Sequence, residues 1–511
     1  MKRLPGHLTW VWAMTAVMAV IYSVFSVILY FTYRFPTYDL GIFDQAVRSY
    51  AHFQPGISIA KGLYDFGNPN FSVLADHFSP VDALLAPLYW ICNSPVDLLI
   101  AQAVLFALAV PPIWAFTRRA FGGGRNGAIA AYCVSTGYAL SWTIAGAAAV
   151  GFHEVAFVPV LTAVALERLQ KGRLKAALLA MCGLLLVKED MGLYVAGLGL
   201  GLAATRALGI PRQRLTGLVI AAVGLVVTFV ALYVVIPAMG GRPGFYWAYQ
   251  ALGNNVPQAL EHIVSHPASA AKLLVTPRVK VHTMLLLFAP FLFLSLLSPI
   301  TWAVFPLLLE RMLANRFGNW WPALYQYNAY LVAPLALGAV DGVLRLERWA
   351  KWAWRHATPE LAQLRRPVNQ GTGNLPVTVT AAFALIAVAM VPYFSLGWMF
   401  KSSFYHRDSE VTAEAAVVSH VPSGVIIETT SGTGPHLDSR DTVEVWDAHG
   451  HGQLYPAWVI VNDVSNQFGF ATLKQQVQRV ALLRAHGYVT VFSAGGYSLM
   501  HAPHLAAQGS E

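Results

Sequence analysis

The sequence predicts a mainly α-helical, polytopic membrane protein with about eleven transmembrane helices, followed by a small extracytoplasmic α/β domain. Of its 511 residues, 56% are hydrophobic and only 12% are charged, and the mean hydropathy is +0.52. Apolar runs of roughly 17–25 residues recur from Leu8 to Leu396, and each can cross a hydrocarbon layer of about 30 Å as a helix. From Lys401 onward, short β-like segments replace these runs.

The distribution of basic residues predicts the orientation of the chain. The formal charge is +9, but the basic residues lie between the apolar runs and form no single soluble patch, so no nucleic-acid partner is predicted. Lys and Arg concentrate in cytoplasmic loops of membrane proteins. Lys2 and Arg3 therefore predict a cytoplasmic amino terminus, and the acidic loop that follows the first span is expected outside.

The predicted spans alternate between basic loops on the cytoplasmic side and acidic tips on the outer side. An odd number of spans places the carboxyl terminus outside. The predicted spans lie near residues 8–31, 96–116, 127–150, 155–167, 176–187, 191–203, 215–236, 282–297, 300–313, 325–343 and 377–396.

Two domains are predicted from the change in composition. Residues 1–398 form the transmembrane domain, with outer loops at 35–95 and 238–280, and residues 399–511 form the extracytoplasmic α/β domain. In this second domain the alternation of apolar residues predicts strands at 425–429, 442–446, 458–461, 489–492 and 498–500, with a helix at 473–486.

The first outer loop carries two candidate catalytic acids, Asp39 and Asp44, within the stretch Tyr38–Gln45. Residues five apart on one helix lie about 140° apart, so one acid can face a cleft while the other pairs elsewhere. Acids at span ends invite a functional interpretation because an unpaired carboxylate close to hydrocarbon is costly. The simpler alternative is that they are ordinary solvated loop residues.

Two further outer segments add the candidate binding residues Asp76, His77, His153 and Glu154. His77 could bind a metal ion or a phosphate, or cap a short helix. A divalent cation would require several of these side chains to converge with Asp39, and the spacing of the residues does not decide this.

Lys188, Glu189 and Asp190 interrupt an apolar stretch that would otherwise form one long span. The structural interpretation is a tight turn between two antiparallel helices. The functional interpretation is that Lys188 neutralises a phosphate while an acid positions it or a hydroxyl group.

A last polar and aromatic cluster includes Arg311, Arg316, Gln326 and Tyr330. Arginine at this surface suits a lipid-linked phosphate or pyrophosphate, although plain contact with lipid headgroups explains it equally well.

Five of these outer stretches together resemble the motifs of a known family. They are Tyr38–Gln45, Asp76–Pro80, Phe152–Glu154, Lys188–Asp190 and Tyr325–Tyr330. With them, most of the chain resembles the domain-of-unknown-function-2079 family of bacterial multipass membrane proteins. That family is in turn similar to the C-type (GT-C) superfamily of membrane glycosyltransferases, which includes protein mannosyltransferases and lipid A aminoarabinose transferases.

The resemblance implies a GT-C-like fold in the bacterial plasma membrane and a polyprenyl-phosphate-linked sugar as donor. The matching catalytic acid of the first outer loop is Asp39, with Asp44 second. This sequence has Asp-Leu where several such families have Asp-Glu, which leaves the choice of base open.

The implied reaction is an inverting hexosyl or pentosyl transfer to a glycan, lipid or protein outside the cytoplasm. Lys188, Arg311 or Arg316 would stabilise the phosphate leaving group, while Glu154, Glu189 and Asp190 would orient the acceptor or the cations. Two other classes stay open: a transporter or flippase, which predicts broken spans and charges near the bilayer midplane, and a non-catalytic scaffold of the cell envelope.

Overall fold

The computed structural model describes residues 5–205, 208–242, 244–356, 374–448 and 456–506. Lys2 and Arg3, on which the predicted orientation rests, lie outside the described residues. The described chain is mainly helical, and its helices run as follows: α1 Pro5–Phe31, α2 Ile42–Ala51, α3 Ile59–Phe66, α4 Ala86–Tyr89, α5 Pro95–Ala107, α6 Val110–Ala120, α7 Arg125–Ala139, α8 Trp142–Ala148, α9 Phe157–Gln170, α10 Leu174–Leu185, α11 Met191–Ala204, α12 Gln213–Val230, α13 Ile236–Ala238, α14 Val256–Ser265, α15 Pro267–Val275, α16 Arg278–Phe288, α17 Val304–Leu313, α18 Ala329–Arg355, α19 Leu375–Met390, α20 Ser409–Ser419, α21 Leu473–Ala485 and α22 Pro503–Ala506.

Six helical segments among the described residues are long and apolar enough to cross a membrane. A seventh span is possible if α15 and the segment Arg278–Phe291, which meet at an angle of 71°, are counted as one. The six segments coincide with six of the predicted spans: Gly6–Phe31, Pro95–Ala120, Arg125–Ala148, Gln213–Ala238, Gln326–Ala353 and Leu375–Tyr393.

The other five predicted spans fall on shorter helices. α9 and α11 have 14 residues, α10 has 12, α16 has 11 and α17 has 10. At 1.5 Å per residue these helices measure about 15–21 Å, less than a hydrocarbon layer of about 30 Å. The predicted number of eleven transmembrane helices is therefore not confirmed.

Helices α11 and α12 approach each other unusually closely through glycine. A Cβ atom placed on Gly217 would lie 2.5 Å from the Gly199 carbonyl oxygen, and one on Gly224 would lie 2.4 Å from the Gly192 carbonyl oxygen. Small residues let helix backbones pack closely inside a membrane. This pair fixes the position of the turn between α10 and α11, because the Thr228 hydroxyl of α12 donates to the Glu189 carbonyl oxygen at 2.8 Å.

The carboxyl-terminal sheet confirms the predicted strands. The order of its five strands is β2-β1-β3-β5-β4; β1 pairs in parallel with β2 and β3, and β5 pairs antiparallel with β3 and β4. Helices α20 and α21 cover its two faces, with Val417 and Val480 in the respective cores. The strands are β1 Ile426–Thr429, β2 Thr442–Val445, β3 Trp458–Asn462, β4 Val489–Ala494 and β5 Tyr497–His501.

This α/β unit docks directly on the loop that follows α1. The backbone N–H of Thr37 donates to the Ser431 carbonyl oxygen at 2.6 Å. The side-chain amide of Gln45 donates to Asp438 Oδ1 at 2.9 Å and to the Val443 carbonyl oxygen at 2.9 Å. Both ends of the Tyr38–Gln45 stretch are therefore anchored to the carboxyl-terminal residues. The predicted boundary at residue 398 lies within a 3₁₀ turn, Ser395–Phe400.

We expect Gly217→Val to destabilise the protein by about 1–3 kcal/mol, because the added methyl groups overlap the α11 backbone. The measurement is the midpoint of thermal unfolding in detergent. Ala222→Val, an exposed position on α12, is the matched control and should leave the midpoint unchanged. Equal midpoints for the two variants would show that the helices do not pack this closely.

Candidate functional site

Asp39 is the open carboxylate of the loop that follows α1. It lies in a single π-helical turn, Thr37–Gly41, that follows α1, and Thr37, Leu40 and Gly41 in the same turn are buried. The Asp39 side chain is 42% exposed. The turn therefore presents one acid to the space above the helices while its other side chains hold it in place.

His153 stands beside Asp39. Its Nε2 atom is 3.9 Å from Asp39 Oδ1, and its backbone N–H donates to Gln102 Oε1 at 3.1 Å. Desolvation raises the pKa of Asp39, although the imidazole of His153 and the ammonium of Lys61 oppose the rise. Burial lowers the pKa of His153 despite the neighbouring Asp39 and Glu154. A neutral imidazole next to a carboxyl group whose pKa is raised is an arrangement suited to proton transfer.

Asp44, the second candidate acid, is fully buried in α2 and has both carboxylate oxygens engaged. Arg48 Nη2 donates to Oδ2, and the Tyr89 hydroxyl donates to Oδ1. Arg48 also donates to Asn93 Oδ1. The structure thus places Asp44 between α2 and α4, where it holds the loop together.

A buried lysine, Lys61, binds two acids and two tyrosines under the loop. Its Nζ atom lies 2.8 Å from Asp65 Oδ2 and 3.1 Å from Asp76 Oδ2, and it donates to the hydroxyls of Tyr38 and Tyr246 at 3.0 Å each. The carboxylates and the Tyr246 hydroxyl outweigh the effect of burial and raise the pKa of Lys61.

Lys61 and Asp65 are not among the site residues predicted from the sequence. Their spacing of four residues on a helix was the available signal, because such a pair shares one helix face. The structure also shows why Asp76 is not free: its Oδ1 atom accepts from the Tyr246 hydroxyl at 2.7 Å while its Oδ2 atom faces Lys61.

His77 and Glu189 join the long segment after α1 to the turn between α10 and α11. Nδ1 of His77 lies 2.8 Å from Glu189 Oε1, and the Phe78 N–H donates to Glu189 Oε2 at 3.0 Å. Burial alone would raise the pKa of Glu189, but His77 and Lys188 outweigh it and lower that pKa to about 2. Burial and Lys188 oppose protonation of His77, yet Glu189 and Asp76 raise its pKa.

Lys188 reaches Glu154 from the same turn. Its Nζ atom is 3.5 Å from Glu154 Oε1, and the Lys188 side chain is 16% exposed. Burial disfavours the ammonium, but Glu154, Asp190 and Glu189 raise the pKa of Lys188 well above its usual range. Burial, with Glu189 adding to it, raises the pKa of Asp190 to about 6. Lys188 therefore stays positive in a cluster of acids.

Arg311 is buried and engaged with the loop that precedes α18. It donates to the carbonyl oxygens of Trp320 and Tyr327, at 2.7 Å and 2.6 Å, and to Asn328 Oδ1 at 3.2 Å. Arg316 is exposed, and its guanidinium lies 4.8 Å from the centre of the Phe317 ring.

The remaining two predicted residues lie at the start of α18. Gln326 is half-buried in a 3₁₀ turn, and Tyr330 is buried among the helices. The backbone carbonyl of Tyr330 accepts from the Tyr194 hydroxyl at 3.3 Å, so this residue links α18 to α11.

The predicted metal ligands do not converge as one set. Asp76 faces Lys61, His77 faces Glu189, and Glu154 faces Lys188. Among the described residues, no group of three or more His, Cys, Asp or Glu side chains could hold a metal ion. The divalent cation stays a prediction.

The apolar helices fit a multipass membrane protein, and the candidate site joins charged side chains from several segments between those helices. The structure is similar to the crystal structure of ArnT from Cupriavidus metallidurans bound to undecaprenyl phosphate. The TM-score is 0.54 at 14% sequence identity, covering 96% of this chain and 98% of that chain. This likeness shows that the chain has an ArnT-like fold.

The family model described as predicted membrane protein (DUF2079) matches residues 32–498. The chain belongs to this family. A comparison with curated proteins found no match.

We expect the stability lost in Glu189→Gln to depend on pH. The raised pKa of His77 means that its protonation stabilises the fold fully below about pH 6.5, and that this contribution disappears as the pH rises through the folded-state pKa. Glu189 contributes above about pH 4.5 and loses its contribution as the pH falls to about 2. The difference in thermal midpoint from the wild type should therefore be largest near pH 5–6 and smaller at pH 9.

The control is Glu261→Gln, an exposed position outside this cluster, whose midpoint should follow the wild type at every pH. If Glu189→Gln lowers the thermal midpoint by the same amount at pH 5.5 and pH 9, then Glu189 and His77 do not form an ion pair.

Proposed function

We propose that this protein transfers a sugar from a polyprenyl-phosphate carrier to a hydroxyl group of a glycan, lipid or protein outside the cytoplasm. The observation that carries the proposal is the half-exposed Asp39 beside His153, in a chain with an ArnT-like GT-C fold. ArnT was crystallised with undecaprenyl phosphate, which supports a polyprenyl phosphate as the carrier here.

In this reaction Asp39 acts as the general base. Its carboxylate accepts the proton of the acceptor hydroxyl, the hydroxyl oxygen forms a bond to the anomeric carbon, and the bond from that carbon to the phosphate oxygen breaks. The attack comes from the face opposite the phosphate and inverts the anomeric centre. Asp39 suits the role better than Asp44, because both oxygens of Asp44 already accept hydrogen bonds.

Lys188 and Arg316 are the residues we assign to the phosphate leaving group. An ammonium group has three donors, and the contact of 3.5 Å with Glu154 leaves Lys188 able to bind a phosphate oxygen. Arg316 is exposed. Arg311 donates to backbone carbonyls and to Asn328, so we assign it to holding the loop rather than to the phosphate.

The second candidate is a transporter of lipid-linked or small polar substrates. The angle of 71° between α15 and the following segment favours it, because broken spans are common at transporter binding sites. The charged residues argue for the enzyme, since Asp39, His77, Glu154 and Lys188 lie in the segments between helices. Movement of a labelled polyprenyl phosphate across proteoliposomes, with the sugar left attached, would favour the transporter.

We expect Asp39→Asn to lower sugar transfer by about 100- to 10,000-fold, because the amide cannot accept the acceptor proton. Purified protein in proteoliposomes would be given polyprenyl-phosphate hexoses and pentoses with an envelope extract as acceptor. The release of polyprenyl phosphate would be measured by mass spectrometry. Asp463→Asn, an exposed acid of the carboxyl-terminal domain, is the control and should retain activity. Wild-type rates in Asp39→Asn would eliminate this residue as the base.

We expect Lys188→Gln to weaken the binding of undecaprenyl phosphate at least tenfold, since the phosphate loses its charged donor. Native mass spectrometry of the purified protein measures the binding. Lys188→Arg keeps the charge and should retain most of the affinity, which separates loss of the cation from misfolding. Affinity within twofold of the wild type in Lys188→Gln would show that the phosphate lies elsewhere.

A further inference from the structure

A second group of basic residues lies around a groove that none of the candidate-site residues lines. The groove has a volume of about 420 Å³ including its open mouth, and it is lined by Arg34, Trp398, Lys401, Ser403 and Phe404. The groove is open at the surface, and its lining offers two cations and a hydroxyl to a polar group.

Its two cations have no acidic partner. Arg34 and Lys401 are both exposed, and neither forms an ion pair within the part of the chain that the structure describes. The Arg34 guanidinium lies 5.9 Å from the centre of the Phe404 ring. A third cation follows nearby, since Arg407 Nε donates to the Phe31 carbonyl oxygen at 3.2 Å. The groove is thus lined by two cations that pair with no acid among the described residues.

The groove lies at the level where two membrane spans end. The first span ends at Phe31 and the last at Tyr393, and Arg34 and Lys401 follow these ends by a few residues. The floor of the groove packs on the first span, because Phe404 stacks on Phe25 at 5.5 Å between ring centres.

Exposed aromatic residues surround this level. Phe31, Tyr393, Phe400 and Tyr405 all present at least half of their surface. Aromatic side chains concentrate where the hydrocarbon meets the headgroups. Cations are less frequent on the outer side of membranes than on the cytoplasmic side, so two unpaired cations on the predicted outer side favour an anionic ligand.

We propose that this groove binds the phosphate-bearing headgroup of an anionic phospholipid of the surrounding bilayer. Arg34 and Lys401 contact the phosphate oxygens, and the Ser403 hydroxyl donates a further hydrogen bond. The acyl chains then run down the exposed side of α1 beside Phe31. The bound lipid holds the end of α1 to the segment Ser395–Phe404, and so anchors the base of the loop that carries Asp39.

The test is a titration of the full-length protein in detergent with phosphatidylglycerol and, in parallel, phosphatidylcholine. Native mass spectrometry follows the first lipid bound. We expect phosphatidylglycerol to bind at least tenfold more tightly than phosphatidylcholine, and the preference to disappear in Arg34→Gln/Lys401→Gln. The matched control is Lys175→Gln/Arg214→Gln, which removes two exposed cations elsewhere and should leave the preference unchanged.

The single variant Lys401→Gln is a further test in case the double variant misfolds, because the Lys401 side chain is exposed and its replacement should not disturb the fold. We expect Lys401→Gln to lose at least threefold in affinity for phosphatidylglycerol. Equal affinity of the wild type for the two lipids would overturn the proposal. Displacement of phosphatidylglycerol by equimolar inorganic phosphate or undecaprenyl phosphate would also overturn it, because the groove would then recognise a phosphate without regard to the phospholipid.

Discussion

The contact between His77 and Glu189 is the interaction on which the rest of the site depends. It connects the long segment after α1 to the turn between α10 and α11, two parts of the chain more than one hundred residues apart. The same turn is tied to α12 through Thr228, and the next residue back, Lys188, faces Glu154. A charged pair is favoured here because only 11% of the Glu189 side chain is exposed, and an isolated carboxylate with so little access to water would be protonated.

The buried charges divide into two groups with different consequences. Lys61 forms ion pairs with Asp65 and Asp76, and Asp44 forms one with Arg48. These residues hold the loop in place, and their charged groups are not free to react with a substrate. Asp39 and Lys188 keep part of their surface open to solvent. A rigid shell of paired charges around a few open ones is how a protein preorganises groups that must meet a substrate.

Patterns within short stretches of sequence were sufficient to predict the carboxyl-terminal strands and six of the spans, because both depend on local periodicity. The sequence also predicted that charged residues from distant segments belong to one face. It could not predict which charge meets which partner. Lys61, Asp65 and Asp438 went unrecognised because their partners are set by tertiary packing. The contacts of Arg311 could not be predicted either, because its guanidinium donates to backbone carbonyl oxygens, which every residue has.

The docking of the α/β unit has a consequence for biosynthesis. Thr37 and Gln45 bracket Asp39, and both are held by residues from 431 to 443. The ribosome makes the first loop early and its anchors almost four hundred residues later. The loop can take its final shape only after the carboxyl-terminal unit has been made and has folded against it. A truncated chain would therefore carry an unfinished site.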